Sequence, residues 1–128
     1  MANVKKIGNK SESVLLEILK NKGYWCHLFS YNDSGQPCDV IALKGNNHYL
    51  IDVKHCDSDV FYFNRIESNQ HNCFRYANEC GVAWKNLGFA IYSEITKDFH
   101  WLPYSLVIGL KDDKRVLIQF LERLSNIL

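Results

Sequence analysis

Two short apolar segments joined by a tight connection constrain this chain more than anything else in it. Asp39-Val40-Ile41-Ala42-Leu43 leads through Lys44-Gly45-Asn46-Asn47 into His48-Tyr49-Leu50-Ile51-Asp52-Val53-Lys54. Both segments have strand composition, and the residues between them are hairpin chemistry. Residues i and i+2 of a strand share a face. Asp52 and Lys54 therefore point one way, while Ile51 and Val53 point into a core. Asp39 starts the neighbouring strand, so a hairpin brings its carboxylate beside that of Asp52. Two carboxylates and one ammonium on a sheet edge can hold a divalent cation and activate water against a phosphodiester.

The rest of the chain is read around that hairpin. At 128 residues, with 47% hydrophobic and 13% aromatic content, it is one globular domain over residues 1–128. Its apolar runs are too short to span a bilayer, and no apolar stretch follows Lys5-Lys6 as in a secretory signal. The five cysteines are odd in number and lack a C-x-x-C spacing, which suits reduced thiols in a cytoplasm. Cys26-His27, His55-Cys56 and His71-Asn72-Cys73 have no zinc-finger spacing either. A net charge of +1 carries no bulk signal for nucleic acid, but Lys5, Lys6 and Lys10 make a local basic edge near the N-terminus.

A helix is predicted over residues 11–21, with Val14, Leu15, Ile18 and Leu19 inward and Gly23 as its stop. An aromatic-rich strand follows over 24–30, and Asn32-Asp33-Ser34-Gly35-Gln36-Pro37 is turn chemistry. After the hairpin, residues 64–80 have a helical pattern, with Phe74, Ala77 and Cys73 inward. Strands are predicted over 87–95 and from 99 to 101, and an amphipathic helix over 114–127 carries Val116, Leu117, Phe120, Leu121 and Leu124. The order α-β-β-β-α-β-β-α implies an α/β fold, a mixed β-sheet flanked by helices. Phe61, Phe63, Trp84, Trp101 and the face of the last helix exceed what one short sheet needs, which suggests an apolar interface with a second copy.

Taken together, Gly8 and Glu12, Gly35-Gln36-Pro37-Cys38-Asp39, Asp52-Val53-Lys54 and Gln70 resemble the PD-(D/E)XK nuclease superfamily. Within it the chain looks most like the archaeal-type Holliday junction resolvases and their bacterial and phage relatives, over roughly residues 5–101. Cys38 stands between Pro37 and the first acid, where such nucleases often have Pro or Val. The second acid is Asp52 where Glu is commoner. Residues 104–128, read as a C-terminal helical segment, match no motif.

The resemblance implies a restriction-endonuclease-like fold and a Mg²⁺-dependent DNA endonuclease, with Mn²⁺ as a substitute. Asp39 and Asp52 would be metal ligands, joined by the Val53 carbonyl, and Glu12 would reach the same ion or a second one. Lys54 would orient the attacking water and offset charge on the phosphate. Gln70 would hydrogen-bond Lys54 or the water, although Glu67, Asn69 and His71 have equal reach. Lys5, Lys6, Lys10 and Ser34 would contact DNA. A resolvase cuts two opposing strands, which implies a C₂ homodimer on a four-way junction. Each residue also has a plainer reading: Glu12 complements a helix N-terminus, Ser34 forms a turn, and most Asp-x-Lys triplets are solvated. The alternatives are a nuclease of this fold acting on a flap, nick or single strand, and a non-catalytic DNA-binding module. A cytoplasmic location fits each of them, or the cytoplasm of a host cell if the chain is phage-encoded.

Overall fold

The computed structural model describes residues 3–29 and 38–128, with only the backbone given for 3–9. Ser34 and Pro37 thus lie outside the described residues, as do the side chains of Lys5 and Lys6. Helix α1 spans Asn3–Asn21. Then come strands β1 (Trp25–Leu28), β2 (Val40–Lys44), β3 (Asn47–Cys56) and β4 (Val60–Tyr62), and helix α2 (Ser68–Glu79). The chain ends in β5 (Leu87–Ser93), β6 (Asp98–Pro103), α3 (Tyr104–Gly109), β7 (Arg115–Leu117) and the short α4 (Leu124–Ile127). The architecture is mixed α/β, and the predicted order from α1 to β6 holds except for the short β4, an extra strand between β3 and α2.

Five strands form one sheet in the order β1-β2-β3-β5-β6. The β2–β3 hairpin pairs Lys44 with Asn47 and Val40 with Ile51, and Gly45 takes the positive φ of 58° that its turn needs. β3 runs parallel to β5, and α2 makes the crossover between them. Gly88 of β5 is a packing necessity: a Cβ there would collide with the Leu102 carbonyl.

The two sheet faces are covered by different parts of the chain. Leu15 and Leu19 of α1 pack with Tyr49, Ile51, Ala90 and Trp101, and Leu124 of α4 joins them. On the opposite face Phe74 of α2 packs with Leu87, Phe89, Ile91, Leu102 and Tyr104. α1 ends as its glycine predicts: Gly23 sits at φ 88°, and the Tyr24 N–H donates to the Leu19 carbonyl at 3.0 Å.

Several expectations need correction. α1 starts well before residue 11. Its Val14 is 40% exposed, while Leu16 joins Leu15 and Leu19 in packing. Residues 64–67 precede α2 instead of belonging to it; Phe63–Arg65 is a 3₁₀ turn. No helix spans 114–127. Val116 and Ile118 are buried at a spacing of two, because β7 pairs with β4 in a small second sheet, Val116 opposite Phe61. A 3₁₀ turn over Ile118–Phe120 follows and leaves Phe120 72% exposed. The apolar surplus also disappears: Phe61, Phe63, Trp101, Val116 and Leu124 are all buried in this chain's own core.

Candidate active site

Asp39 lies just before β2, where the hairpin ladder stops. Its N–H donates to the Ile51 carbonyl at 3.1 Å, and its Oδ2 accepts the Val53 N–H at 2.7 Å. The carboxylate thus caps β3 where β2 no longer pairs with it, which pins it beside the next residues of that strand. Asp52 and Lys54 project from one face of β3, as the period of two requires, with Lys54 Nζ 3.1 Å from Asp52 Oδ2. The Asp39 and Asp52 carboxyl groups lie within hydrogen-bonding reach of one another.

This cluster is deeply placed. Asp52 is only 3% exposed. Burial raises its pKa to about 8; Asp39 adds to the rise, and Lys54 opposes it. Glu12, half-buried on α1, faces the same place: burial and then the charge of Asp39 push its pKa up to about 7. Glu17, the other carboxylate on that helix, is exposed.

A buried carboxylate needs compensation, and Asp52 Oδ2 has little. It lies at ion-pair distance from Lys54 yet accepts no hydrogen bond. That orphaned oxygen, with Asp39 beside it, suits a hard divalent cation. Among the described residues no group of three or more His, Cys, Asp or Glu stands ready to hold a metal. Two carboxylates with remaining positions left to water and substrate phosphate are the Mg²⁺ pattern rather than that of a closed protein cage.

Gln70 is buried at the third position of α2, but its Oε1 is engaged by the Glu67 N–H at 2.9 Å. Glu67 returns a side-chain contact to the α2 backbone, completing a capping box. Gln70 therefore anchors the start of α2. Lys10 is exposed and lines a cleft of about 380 Å³ with Ser11, Tyr92, Glu94 and Lys97.

Two features escaped the sequence reading. Cys38, next to Asp39, donates its thiol to the Val40 carbonyl at 3.6 Å and lies close enough to Cys73 of α2 for the two thiols to shift each other, Cys38 up and Cys73 down. The pair sets the first acid's segment against the helix over the sheet. The second is an aromatic row on β1 and just after it: Trp25, His27 and Phe29, with the Phe29 N–H donating to the Asp39 carbonyl at 2.9 Å. Alternation in Tyr24-Trp25-Cys26-His27-Leu28-Phe29 was the available signal, since Tyr24, Cys26 and Leu28 face the core under α1. A cleft of about 840 Å³ between Tyr62, His71, Lys111 and Arg115 contains none of the candidate carboxylates.

No family model and no curated protein sequence matches the chain. Among solved structures it is similar to Archaeoglobus fulgidus Hjc, a Holliday junction resolvase from an archaeal hyperthermophile. The TM-score is 0.72 at 16% identity, over 94% of this chain and 98% of that one. At that identity the likeness establishes a shared fold.

Proposed function

We propose that the chain is a divalent-metal-dependent endonuclease that cuts branched DNA, with a four-way junction as its substrate. One observation carries this reading: Asp39, Asp52, Lys54 and Glu12 converge where the β2–β3 ladder ends, and the buried Asp52 Oδ2 lacks a hydrogen-bond donor. The fold shared with an archaeal junction resolvase supports the choice of substrate. A non-catalytic DNA-binding module has no use for carboxylates placed where phosphate must come.

Asp39 and Asp52, with the Val53 carbonyl, would hold Mg²⁺ or Mn²⁺. When bound, such an ion supplies positive charge that polarises the phosphate and lowers the pKa of water. The chain's own groups do the rest. Lys54 donates to the attacking water or to a phosphate oxygen and offsets charge as the bond breaks. Glu12, with its pKa near neutrality, can exchange a proton at the same locus. Gln70 keeps the start of α2 in place, and the Val53 N–H keeps Asp39 aimed. Cutting two opposing strands requires two such sites, and a C₂ homodimer supplies them. Lys5, Lys6, Lys10 and Ser34 are the proposed DNA contacts.

The test is cleavage of a labelled four-way junction and of a matched linear duplex in Mg²⁺. Paired cuts near the branch, at a rate well above that on the duplex, are the expected result. Equal cutting of both would leave a nuclease without junction preference. No cutting in Mg²⁺ or Mn²⁺ would remove the reading. A second reading, a nuclease acting on DNA with unpaired nucleotides, is favoured by the exposed Trp25 and His27 on the edge strand.

A further inference from the structure

Cys38 stands between the first acid of the site and the helix above it. Asp39 is fixed to β3 by two hydrogen bonds: its N–H donates to the Ile51 carbonyl at 3.1 Å, and its Oδ2 accepts the Val53 N–H at 2.7 Å. Ladder pairing of β2 begins at Val40, opposite Ile51. Cys38 is 1% exposed just outside that ladder, with its thiol donated to the Val40 carbonyl at 3.6 Å. Above it, Phe74 of α2 stands edge-on to Phe89, centroids 5.3 Å apart, and Phe89 is the β5 partner of Asp52. Cys73, one residue earlier, packs against the same core. α2 therefore lies over the Asp52 face of the sheet and sets Cys73 beside Cys38. The two thiols perturb one another, and Cys38 also feels the charges of Asp52 and Asp39.

The other three thiols are placed differently. Cys26 packs on the α1 side of the sheet. Cys56 donates to the Ser58 and Val60 carbonyls at 3.3 Å each, and Cys80 is exposed at the end of α2. The two sides of the Cys38–Cys73 contact are also unequal. α2 is anchored by the capping box of Glu67 and Gln70 and by the packing of Phe74. The Asp39 side lies outside the β2–β3 ladder. A pull between the two sulfurs is therefore taken up at Asp39 rather than by the helix.

We propose that Cys38 and Cys73 form a reversible disulfide that draws Asp39 off the Val53 N–H and away from Asp52, a redox switch on the candidate site. The oxidant is a low-molecular-weight disulfide, glutathione disulfide. Cys73, half-buried and the more accessible of the two, gives up its proton and attacks one glutathione sulfur. The glutathione S–S bond breaks, and the first glutathione leaves with that proton. The Cys38 sulfur then attacks the Cys73 sulfur of the mixed disulfide, and the second glutathione leaves with the Cys38 proton. The protein is oxidised by two electrons, and glutathione disulfide is reduced to two glutathiones. The sulfurs end about 2.05 Å apart, well inside non-bonded contact. Cys38 has to leave the Val40 carbonyl to reach that position. A displacement of ~1 Å at a reacting group is enough to cost ~100-fold in rate. The effect on cutting rests on the nuclease reading proposed above; the bond and the movement of Asp39 do not.

The experiment treats the folded chain, wild type and Cys73→Ala, with glutathione disulfide in chelator. Intact mass should fall by two hydrogens in wild type, and peptide mapping should place the bond between Cys38 and Cys73. The Val53 amide, protected by Asp39 in the reduced chain, should exchange with deuterium about tenfold faster or more after oxidation, and dithiothreitol should restore its protection. After transfer to Mg²⁺, junction cutting by oxidised wild type should be about tenfold or more below the reduced rate, while Cys73→Ala should keep its rate. Absence of a bond between these two cysteines overturns the proposal, as does a bond that leaves Val53 exchange or junction cutting unchanged. An equal loss of cutting in oxidised wild type and Cys73→Ala would assign the effect to another thiol and overturn it too. A reduced wild type that cuts nothing removes the nuclease reading alone, because the mapped bond and the Val53 exchange still decide the switch.

Discussion

Lys54 Nζ stands 3.1 Å from Asp52 Oδ2, yet that buried oxygen accepts no hydrogen bond. The pair is close enough to attract and too poorly aligned to satisfy the carboxylate. Low dielectric makes such a half-compensated group expensive. A divalent cation at the Asp39–Asp52 pair, as proposed above, would resolve the mismatch and leave Lys54 free for a phosphate.

From this, Asp39→Asn and Asp52→Asn are each expected to abolish cleavage while DNA binding stays within a few-fold of wild type. Each removes one anionic ligand and also one repulsion toward phosphate. In chelator, Asp52→Asn should melt no lower than wild type at pH 8, because it deletes a buried charge. Junction cleavage at saturating Mg²⁺ decides the matter; near-normal turnover in either variant rules out the proposed metal site.

Lys54→Ala should lose ~100-fold or more in rate, about 3 kcal/mol of transition-state stabilisation, while still binding metal. Lys54→Arg should rescue poorly: the guanidinium is larger, and it stays charged where an ammonium can give up a proton. Single-turnover kinetics beside a metal titration separate the two effects. An alanine variant that cuts normally, or one unable to bind metal, contradicts the role given to Lys54.

How much of this was legible in the sequence depends on how local the cause was. The β2–β3 hairpin could be read directly, because alternation and a glycine-bearing turn act over a few residues. A motif position favours Glu12 over Glu17; in the fold Glu12 is half-buried near Asp39 and Glu17 is exposed. The C-terminal segment misled, because Val116, Leu117, Phe120, Leu121 and Leu124 mimic a helical stripe. Pairing with β4, over fifty residues earlier, pulled Val116 and Ile118 into strand register instead. Gln70 was a site candidate by position alone, and its bond to the Glu67 N–H is a helix cap that the E-x-x-Q spacing already encoded. The Cys38–Cys73 contact joins residues far apart in the chain, and no local pattern announces it.

Metal identity should follow ligand hardness and geometry. Mg²⁺ and Mn²⁺ are expected to support cutting, and Ca²⁺ to support DNA binding alone, because its larger and looser shell aligns water and phosphate poorly. Cleavage rates and junction affinities in each metal check this. Activity with Zn²⁺ only, indifferent to Mg²⁺, would point to the cysteines and histidines instead.

Stability should fall with pH when no metal is present. The folded-state pKa values of Asp52, about 8, and Glu12, about 7, lie above their ordinary values of 3.8 and 4.5. The folded chain therefore binds these protons more tightly than the unfolded chain does. Their contribution is fully present below the unfolded values and is lost as pH rises toward 7 and 8. In chelator, Tm should drop between about pH 5 and pH 8, less so in Glu12→Gln, and Ca²⁺ should reverse much of the drop. A Tm that rises through that window in chelator would contradict the burial of both acids.

The last expectation concerns symmetry and salt. With Phe61, Phe63, Trp101 and Leu124 buried within the chain, no large apolar surplus is left among the described residues to drive association. Among the described residues the exposed large apolar side chains are spread over many elements: Val14 on α1, Trp25 on β1, Tyr62 on β4, Tyr76 on α2, Ile95 in a turn, Ile108 on α3 and Phe120 near the C-terminus. Dimerisation should accordingly be weak in free protein at micromolar concentration and strong on junction DNA, where two copies share one polyanion. The affinity should fall steeply with salt, because each phosphate neutralised adds ~0.9 to the slope of log K against log salt. Replacing Lys5 and Lys6 by alanine should lower that slope by about two. Sedimentation with and without the junction, and binding across a salt series, are the measurements. A monomer in both conditions would sink the paired-cut mechanism, while leaving the chemistry of a single site at Asp39, Asp52 and Lys54 intact.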